Sequence, residues 1–184
     1  MDITVYCGSG TGDSQSYIEA ARALGSWVAQ AGHNLIYGGS AVGLMGIVSG
    51  AAIEGGAYVT GVEPRFLIDR EIPQHELPEL VTVENMSERK ALMIKRGDIY
   101  IALPGGVGTL EEISEVMSRI RLNLTQPPCI LLNIDGFYDP LKELLDSMVT
   151  HGFLAQGERA QIIFCDTVES AIIEIEAAEK RRRI

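Results

Sequence analysis

Glycine clusters are the feature of this sequence that most directly indicates chemistry. The chain contains 20 glycines among 184 residues, and half of them fall in three short segments that each follow an apolar run. A glycine turn that opens a helix directs backbone N–H groups toward an anion, and the helix dipole adds to the attraction. Three such turns around one crevice predict a pocket for a nucleotide or a sugar phosphate. The three segments contain Gly8, Gly10 and Gly12; Gly38, Gly39, Gly43 and Gly46; and Gly105, Gly106 and Gly108.

The segment Pro104–Thr109 is the best candidate for the phosphate site, because Thr109 adds a hydroxyl donor to the turn. For the first segment two interpretations stay open, since a tight strand-to-helix turn also uses glycine for its dihedral angles alone. No Gly-Lys pair occurs in the sequence, so a Walker A site is not indicated. The first and third segments also lack G-x-G-x-x-G spacing, which argues against a dinucleotide enzyme.

A carboxylate follows this segment closely. Glu112 comes three residues after Thr109, and two interpretations of it are open. Thr-x-x-Glu is the pattern of a capping box, in which the glutamate only reaches back to a backbone N–H. Alternatively, a carboxylate one turn into a helix that holds a phosphate faces the ligand, where it can orient a water molecule or stabilise developing positive charge.

Two cations and one more acid complete the set of candidate residues. Arg89 and Lys90 lie near the start of a predicted helix, where cations oppose the helix dipole. They are either a solvated basic pair or a grip on an anionic ligand, and arginine is suited to bidentate contacts with phosphate. Glu71 is either a surface acid or a ligand for ribose hydroxyls.

Short apolar runs alternate with segments of helical period along the whole chain. Alternation of this kind predicts βαβ units with a parallel sheet, and runs that are apolar throughout indicate strands buried on both faces. Residues 63–79 hold three prolines and no period, so we expect them to be irregular. Predicted strands are 3–7, 33–37, 58–62, 80–83, 98–103, 129–133 and 161–165; predicted helices are 14–31, 43–55, 86–96, 109–122, 138–150 and a closing helix that starts at Val168.

The predicted fold is therefore α/β: a single Rossmann-like, doubly wound domain over residues 1–184, with about seven parallel strands and helices on both faces. In such a sheet the ligand lies beyond the carboxyl ends of the strands. All three glycine segments follow predicted strands, so they meet at that edge.

Composition excludes several classes of partner and site. The net charge of −10 argues against a nucleic-acid polymer or an anionic membrane surface as partner, and the basic run Lys180–Arg183 is expected to be a solvated helix end. No signal peptide and no apolar run of about 18 residues is recognisable, so we expect no membrane segment. The three cysteines are expected to be buried thiols in a reducing cytoplasm. The three histidines lack metal-binding spacing, so no metal site is expected.

Several motifs together resemble the LONELY GUY (LOG) family of cytokinin riboside 5′-monophosphate phosphoribohydrolases, often mislabelled as lysine decarboxylases. The resemblance spans residues 1–166. Its motifs are P-G-G-x-G-T-x-x-E at Pro104–Glu112, the Arg89-Lys90 pair in Met86–Met93, the segment Gly38–Gly46, and Leu131–Tyr138 followed by Gly152-Phe153.

The resemblance implies hydrolysis of the N-glycosidic bond of an adenosine-type nucleoside 5′-monophosphate, giving free base and ribose 5-phosphate. It implies no cofactor or metal, and a homodimer or larger homo-oligomer. By their match to the family motifs, Arg89 and Glu112 are expected to be the catalytic pair. The residues expected to bind substrate and its phosphate are Gly8, Ser9, Gly38, Gly39, Glu71, Met86, Lys90, Gly105, Gly106, Val107, Gly108, Thr109, Glu111 and Ser118.

One departure from the family pattern bears on specificity and assembly. Many members read T-W-x-Q-L-G after the glycine motif, whereas this chain carries Ser118, with Arg119 and Arg121 at the Trp and Gln positions. Two other functions are weighed against hydrolysis. A non-catalytic nucleotide binder uses the same turns and leaves Glu112 as a cap. A decarboxylase needs a Schiff-base lysine, for which the sequence offers no recognisable segment.

Overall fold

The computed structural model describes residues 1–68, 77–125 and 128–182. The predicted strands and helices are all found in these residues, with most boundaries within two residues of the predicted ones; a further short helix, Gln156–Arg159, interrupts the predicted alternation. The strands are β1 (Asp2–Tyr6), β2 (Asn34–Tyr37), β3 (Val59–Pro64), β4 (Glu79–Val83), β5 (Ile99–Ala102), β6 (Cys129–Leu132) and β7 (Ile162–Cys165). The helices are α1 (Gln15–Gln30), α2 (Gly43–Glu54), α3 (Arg65–Ile68), α4 (Met86–Arg96), α5 (Val107–Arg121), α6 (Asp139–Thr150), α7 (Gln156–Arg159) and α8 (Val168–Arg182), with a 3-10 turn at Ile134–Gly136.

The strands form one seven-stranded sheet in the order β4-β3-β2-β1-β5-β6-β7, and every pair of neighbours is parallel. The chain runs outward from β1 to β4, then crosses back to place β5 against the other side of β1. The connections after β1 and β5 therefore leave the sheet in opposite directions and open a crevice between them. This order confirms the predicted doubly wound α/β fold.

The sheet is covered on both faces, as predicted. Side chains of one strand alternate between two separate cores: in β5, Ile99 and Ile101 pack in one core while Tyr100 and Ala102 pack in the other. Helices α1, α2 and α8 contribute to the first core, and α4, α5 and α6 to the second. All four β5 residues are buried, which is why the central strands are apolar throughout.

The structure differs from the sequence-based prediction between residues 63 and 68. This segment was expected to be irregular, yet β3 continues to Pro64 and a short helix, α3, follows. The extension has a partner, because Glu63 and Pro64 pair in register with Thr82 and Val83 of β4. Proline is tolerated at the end of a strand, where no further ladder hydrogen bond is needed.

The structure also confirms a smaller prediction. Cys7, Cys129 and Cys165 are buried free thiols, as expected. Across the described ranges of the chain, every helix is too short or too polar to cross a membrane.

Candidate active site

A cavity of about 310 Å³ lies in the crevice at the carboxyl ends of the central strands. Its volume is at the lower end of the range for small-molecule sites. Residues from five different parts of the chain line it, and nine of the twelve were expected to belong to the site. The lining residues are Cys7, Gly8, Ser9, Met45, Leu67, Met86, Arg89, Gly106, Val107, Gly108, Thr109 and Glu112.

One wall of the cavity is the N-terminus of α5. Gly106 is the N-cap residue, and its carbonyl accepts the first helical hydrogen bond from Leu110 N–H at 3.1 Å. The N–H groups of Val107, Gly108 and Thr109 precede that bond, so helix geometry leaves them without an intrahelical acceptor. Together with the helix dipole they form a site that attracts an anion such as phosphate.

The turn that leads into α5 is tightly closed. A Cβ atom at Gly105 would lie 2.2 Å from Thr109 Oγ1 and 2.9 Å from Gly8 N. Gly8 N–H in turn donates to Pro104 O at 3.2 Å. The glycines at 8 and 105 therefore allow the loops after β1 and β5 to touch, and this contact shapes the rim of the cavity.

Glu112 does not cap the helix. Because α5 begins at Val107 and its N-cap Gly106 makes no side-chain cap, Thr109 is the third helical residue and Glu112 lies in the second turn. The capping-box interpretation is therefore wrong. Glu112 is buried, with a side-chain exposure of 7%, and its Oε1 lies 3.2 Å from Arg89 Nη1.

Arg89 is fixed by the ends of two strands. Its Nε donates to Val62 O at 3.0 Å and its Nη2 to Gly38 O at 3.1 Å, which leaves Nη1 to face Glu112. Helix α4, which carries Arg89, is capped by Asn85 Oδ1, which accepts from Glu88 N–H at 2.9 Å. The guanidinium is thus held in one orientation before any ligand binds.

The ion pair leaves part of the Glu112 carboxylate unsatisfied. The contact between Arg89 Nη1 and Glu112 Oε1 does not have hydrogen-bond geometry, and Oε1 accepts no hydrogen bond from the described residues. Burial raises the pKa of Glu112 above its ordinary value, although the charge on Arg89 opposes the rise. A buried, incompletely satisfied carboxylate with a raised pKa is typical of a catalytic group.

Gly38 and Gly39 were expected to bind substrate, but they lie behind the lining of the cavity. A Cβ atom at Gly38 would lie 1.9 Å from Arg89 Nη2, so this position must lack a side chain for the guanidinium to reach the strand end. Gly39 has a φ of +92° and lies beside Glu63 and Leu80. Neither lines the cavity, and both shape the strand end that holds Arg89.

Lys90, Glu111 and Ser118 were expected to contact substrate, and the structure places all three outside the lining of the cavity. Lys90 Nζ forms ion pairs with Glu111 Oε1 and, at 3.0 Å, with Glu115 Oε2. Ser118 is exposed and lies about two turns after Glu111 along α5. With Arg89 paired to Glu112 and Lys90 to two acids, the uncharged donors in the lining of the cavity are the N–H groups that start α5 and the hydroxyl groups of Ser9 and Thr109. The substrate-binding roles of these three residues stay predictions.

Three residues that line the cavity were not predicted from the sequence. Cys7 ends the apolar run that becomes β1, and Met45 lies in the Gly43–Gly46 segment. Both could have been predicted from their positions beside the glycine segments. Leu67 lies in α3, where the sequence has no helical period. Glu71 lies outside the described residues.

The chain matches the protein-family model described as "Possible lysine decarboxylase" over residues 45–175. It is 44% identical over 174 residues to the cytokinin riboside 5′-monophosphate phosphoribohydrolase LOG of Oryza sativa subsp. japonica, which covers 95% of this chain and 72% of the relative. It is 41% identical, also over 174 residues, to the cytokinin riboside 5′-monophosphate phosphoribohydrolase of Rhodococcoides fascians, with coverages of 94% and 88%.

Solved structures share the same fold at lower identity. The molybdenum cofactor carrier protein of Chlamydomonas reinhardtii superposes with a TM-score of 0.75 at 18% identity, covering 97% of this chain and 98% of that one. The molybdenum cofactor binding protein of Rippkaea orientalis gives 0.72 at 21%, with coverages of 96% and 95%. At these identities the likeness shows the fold alone. The family model and the curated relatives, by contrast, place the chain in the LOG family, which is also described as possible lysine decarboxylases.

Proposed function

We propose that this protein is a phosphoribohydrolase that hydrolyses the N-glycosidic bond of an adenosine-type nucleoside 5′-monophosphate, N6-prenylated adenosine monophosphates included. Water and substrate give the free base and ribose 5-phosphate. The observation that carries the proposal is the buried Arg89–Glu112 pair, which shares one cavity with the open N-terminus of α5. The names of the curated relatives support the same reaction.

The two ends of the cavity suit the two ends of such a substrate. The 5′-phosphate binds the N–H groups of Val107, Gly108 and Thr109. Glu112 lies three residues further along α5, which is about 4.5 Å along the helix axis. A ribose attached to the bound phosphate therefore reaches the carboxylate, and phosphate binding fixes the reacting carbon beside it.

Glu112 acts on the positive charge that develops on the sugar. Cleavage of a glycosidic bond passes through an oxocarbenium-like state, which a nearby carboxylate stabilises while it accepts a proton from the attacking water. The hydroxyl adds to the anomeric carbon as the C–N bond breaks, and the bonding electrons leave with the base. The base takes up a proton from solvent to become the free base, and Glu112 releases to solvent the proton that it accepted. Arg89 orients Glu112, since its other nitrogens are held by Val62 O and Gly38 O.

A product assay tests the proposal. Purified protein is incubated with AMP, with N6-isopentenyl-AMP and with other nucleoside monophosphates, and base and ribose 5-phosphate are quantified. Equal amounts of the two products are expected. Binding of AMP without release of ribose 5-phosphate would instead identify a non-catalytic nucleotide binder.

The same assay separates hydrolysis from decarboxylation. A pyridoxal-phosphate decarboxylase requires a lysine for the Schiff base. None of the described residues that line the cavity is a lysine, and Lys90 is directed to Glu111 and Glu115. Carbon dioxide released from lysine would overturn the hydrolase assignment.

We propose, further, that one domain spans residues 1–184, that the protein works in the cytoplasm, and that it forms a homodimer or larger homo-oligomer. The three buried free thiols agree with a reducing compartment. Exposed apolar side chains on α5 and α6, among them Val107, Leu110 and Leu144, offer a surface for a second copy.

The raised pKa of Glu112 predicts a displaced acid limb in the pH–rate profile. If the ionised carboxylate is the active form, kcat/KM falls as the pH drops through the pKa of Glu112, which lies above the ordinary value of about 4.3. The stability effect has the opposite sign. The folded state holds the Glu112 proton more tightly than the unfolded state, so this residue's contribution to stability declines as pH rises between the two pKa values.

Both effects are measured on the wild type and the Glu112→Gln variant. As the pH is raised between the two pKa values, the Tm of the variant should rise relative to the Tm of the wild type. An acid limb at or below about pH 4.3, with no change in that difference, would contradict the prediction.

Gly38→Ala is predicted to lower kcat/KM by displacing Arg89. The new methyl group would lie 1.9 Å from Arg89 Nη2 and 2.8 Å from Met45 Sδ, so the guanidinium must move away from Glu112. A displacement of this size at a catalytic group lowers kcat/KM by about 10²-fold. Gly50→Ala in α2 is the matched control, since no atom lies within 4 Å of its new methyl group. Unchanged kcat/KM in Gly38→Ala would contradict the role assigned to Arg89.

A further inference from the structure

The family-like segment Leu131–Tyr138 has no role in the mechanism above, yet its last residue is hydrogen-bonded to the residue that precedes the turn into α5. Tyr138 lies between the 3-10 turn and α6 and is buried. Its hydroxyl donates to Leu103 O at 2.7 Å. Leu103 is fully buried and directly precedes Pro104, Gly105 and Gly106, which form the turn into α5.

Hydrogen bonds on two sides fix the chain as it leaves β5. On one side the loop is tied to β1 and the residues after it, because Leu103 N–H donates to Tyr6 O at 2.9 Å and Gly8 N–H donates to Pro104 O at 3.2 Å. On the other side is the Tyr138 phenol. Since the carbonyls before the turn are held in this way, the peptide planes that follow, and the N–H groups that start α5, keep one orientation.

Tyr138 is itself held rigidly. Its N–H donates to Asn133 Oδ1 at 2.7 Å, and Asn133 Nδ2 donates to Asp139 Oδ1 and to Asp166 Oδ1, each at 2.9 Å. The ring also packs edge-on against Phe137, with a centroid distance of 4.9 Å. Because the backbone and the ring of Tyr138 are both fixed, its hydroxyl can hold the acceptor, Leu103 O, in one position.

We propose that Tyr138 is a positioning residue for the phosphate subsite: its hydroxyl, acting through Leu103 O and the Pro104–Gly106 turn, keeps the N–H groups at the start of α5 aimed at the phosphate. The inference rests on the proposed function, because it takes that helix end as the phosphate site. Tyr138 itself is not among the residues that line the cavity.

Tyr138→Phe tests the proposal, with Tyr100→Phe as matched control. Tyr100 is also a buried tyrosine. Its hydroxyl donates to Ile94 O and Gly97 O, both at 2.9 Å, near the amino end of β5 and away from the cavity. Each variant loses one buried hydroxyl group and its hydrogen bonds, so both are expected to unfold at a lower temperature than the wild type. Their Tm values are compared first, to match the loss of stability.

The deciding measurement is binding of ribose 5-phosphate, and separately of adenine, by calorimetry. Tyr138→Phe is expected to weaken ribose 5-phosphate binding by about three- to tenfold, the factor that corresponds to one hydrogen bond, and to leave adenine binding unchanged. Tyr100→Phe is expected to leave both unchanged. A rise in KM for AMP larger than any fall in kcat should accompany the effect of Tyr138→Phe.

Each other outcome also decides the question. Unchanged ribose 5-phosphate binding in Tyr138→Phe, or equal weakening in both variants, would overturn the positioning role while hydrolysis by the wild type stands. A wild type that binds ribose 5-phosphate but releases no base would overturn the proposed function and leave the role of Tyr138 supported or refuted by the binding data. A wild type that does not bind ribose 5-phosphate would overturn both.

Discussion

Replacing Glu112 with glutamine is expected to lower kcat for hydrolysis of AMP by about 10²–10⁴-fold, the range typical of a group that transfers a proton in the transition state. Glutamine keeps the size of the side chain but carries no charge to stabilise the sugar cation and no basic oxygen to accept the water proton. Binding of ribose 5-phosphate should change little, because backbone N–H groups at Val107, Gly108 and Thr109 hold the phosphate. The measurement is steady-state kinetics together with calorimetry.

Glu115→Gln is the matched control. Glu115 lies one turn further along α5, where it pairs with Lys90 and Arg119 rather than with Arg89. This variant carries the same charge change on the same helix and should retain most of the activity. A Glu112→Gln enzyme within about tenfold of the wild-type kcat would show that the carboxylate is not part of the chemistry.

Replacing Arg89 with alanine is expected to abolish activity and to lower the free energy of unfolding by about 3–5 kcal/mol, as breaking a buried ion pair from one side does. The variant leaves the Glu112 carboxylate buried without a counter-charge, and it removes the donors to Val62 O and Gly38 O. Glu112 should respond by holding its proton to still higher pH. Denaturant unfolding with a parallel activity assay measures both effects.

A double-mutant cycle separates the charge effect from lost packing. In Arg89→Ala with Glu112→Gln, no buried carboxylate is left unpaired, so the loss of stability should be smaller than the sum of the two single losses. Arg121→Ala serves as a surface control. Its pair with Glu158 is half-exposed at 3.5 Å, and its removal should change stability by less than about 1 kcal/mol. Additive losses in the cycle would contradict a coupled buried pair.

The start of α5 offers a way for a protein with a net negative charge to accept an anionic substrate. The chain has a net charge of −10, and the two cations expected at the site are already neutralised, Arg89 by Glu112 and Lys90 by Glu111 and Glu115. In the function that we propose, the attraction for phosphate therefore comes from the helix N-terminus, whose partial charge does not depend on side chains.

Local patterns in the sequence were sufficient for the order of strands and helices. Uninterrupted apolar runs such as that of β5 arise because a strand between two helical layers is buried on both faces. The glycine segments fell at strand ends because chain reversals and close loop contacts need residues without a Cβ, as at Gly105 against Thr109. These effects operate over a few residues, so periodicity and glycine position reveal them.

Which residues meet at the site was decided by the tertiary structure. Charge and position alone did not distinguish Arg89 from Lys90, and only the family resemblance separated their expected roles. Successive residues on a helix point about 100° apart. Only Arg89 therefore faces the strand ends and Glu112, while Lys90 faces the acids of α5. Likewise, the capping role of Glu112 was ruled out by where α5 begins, and its ion pair depends on an arginine 23 positions earlier in the chain.

The sequence by itself determined the α/β fold, the three glycine turns and the family of this protein, because each of these is written in short-range spacing and in motifs. The tertiary structure alone decided the strand order that places β5 beside β1, the ion-pair geometry of Arg89 with Glu112, and the hydrogen bond from Tyr138 to Leu103. Those features join residues far apart in the chain, and their geometry follows from how the helices pack on the sheet.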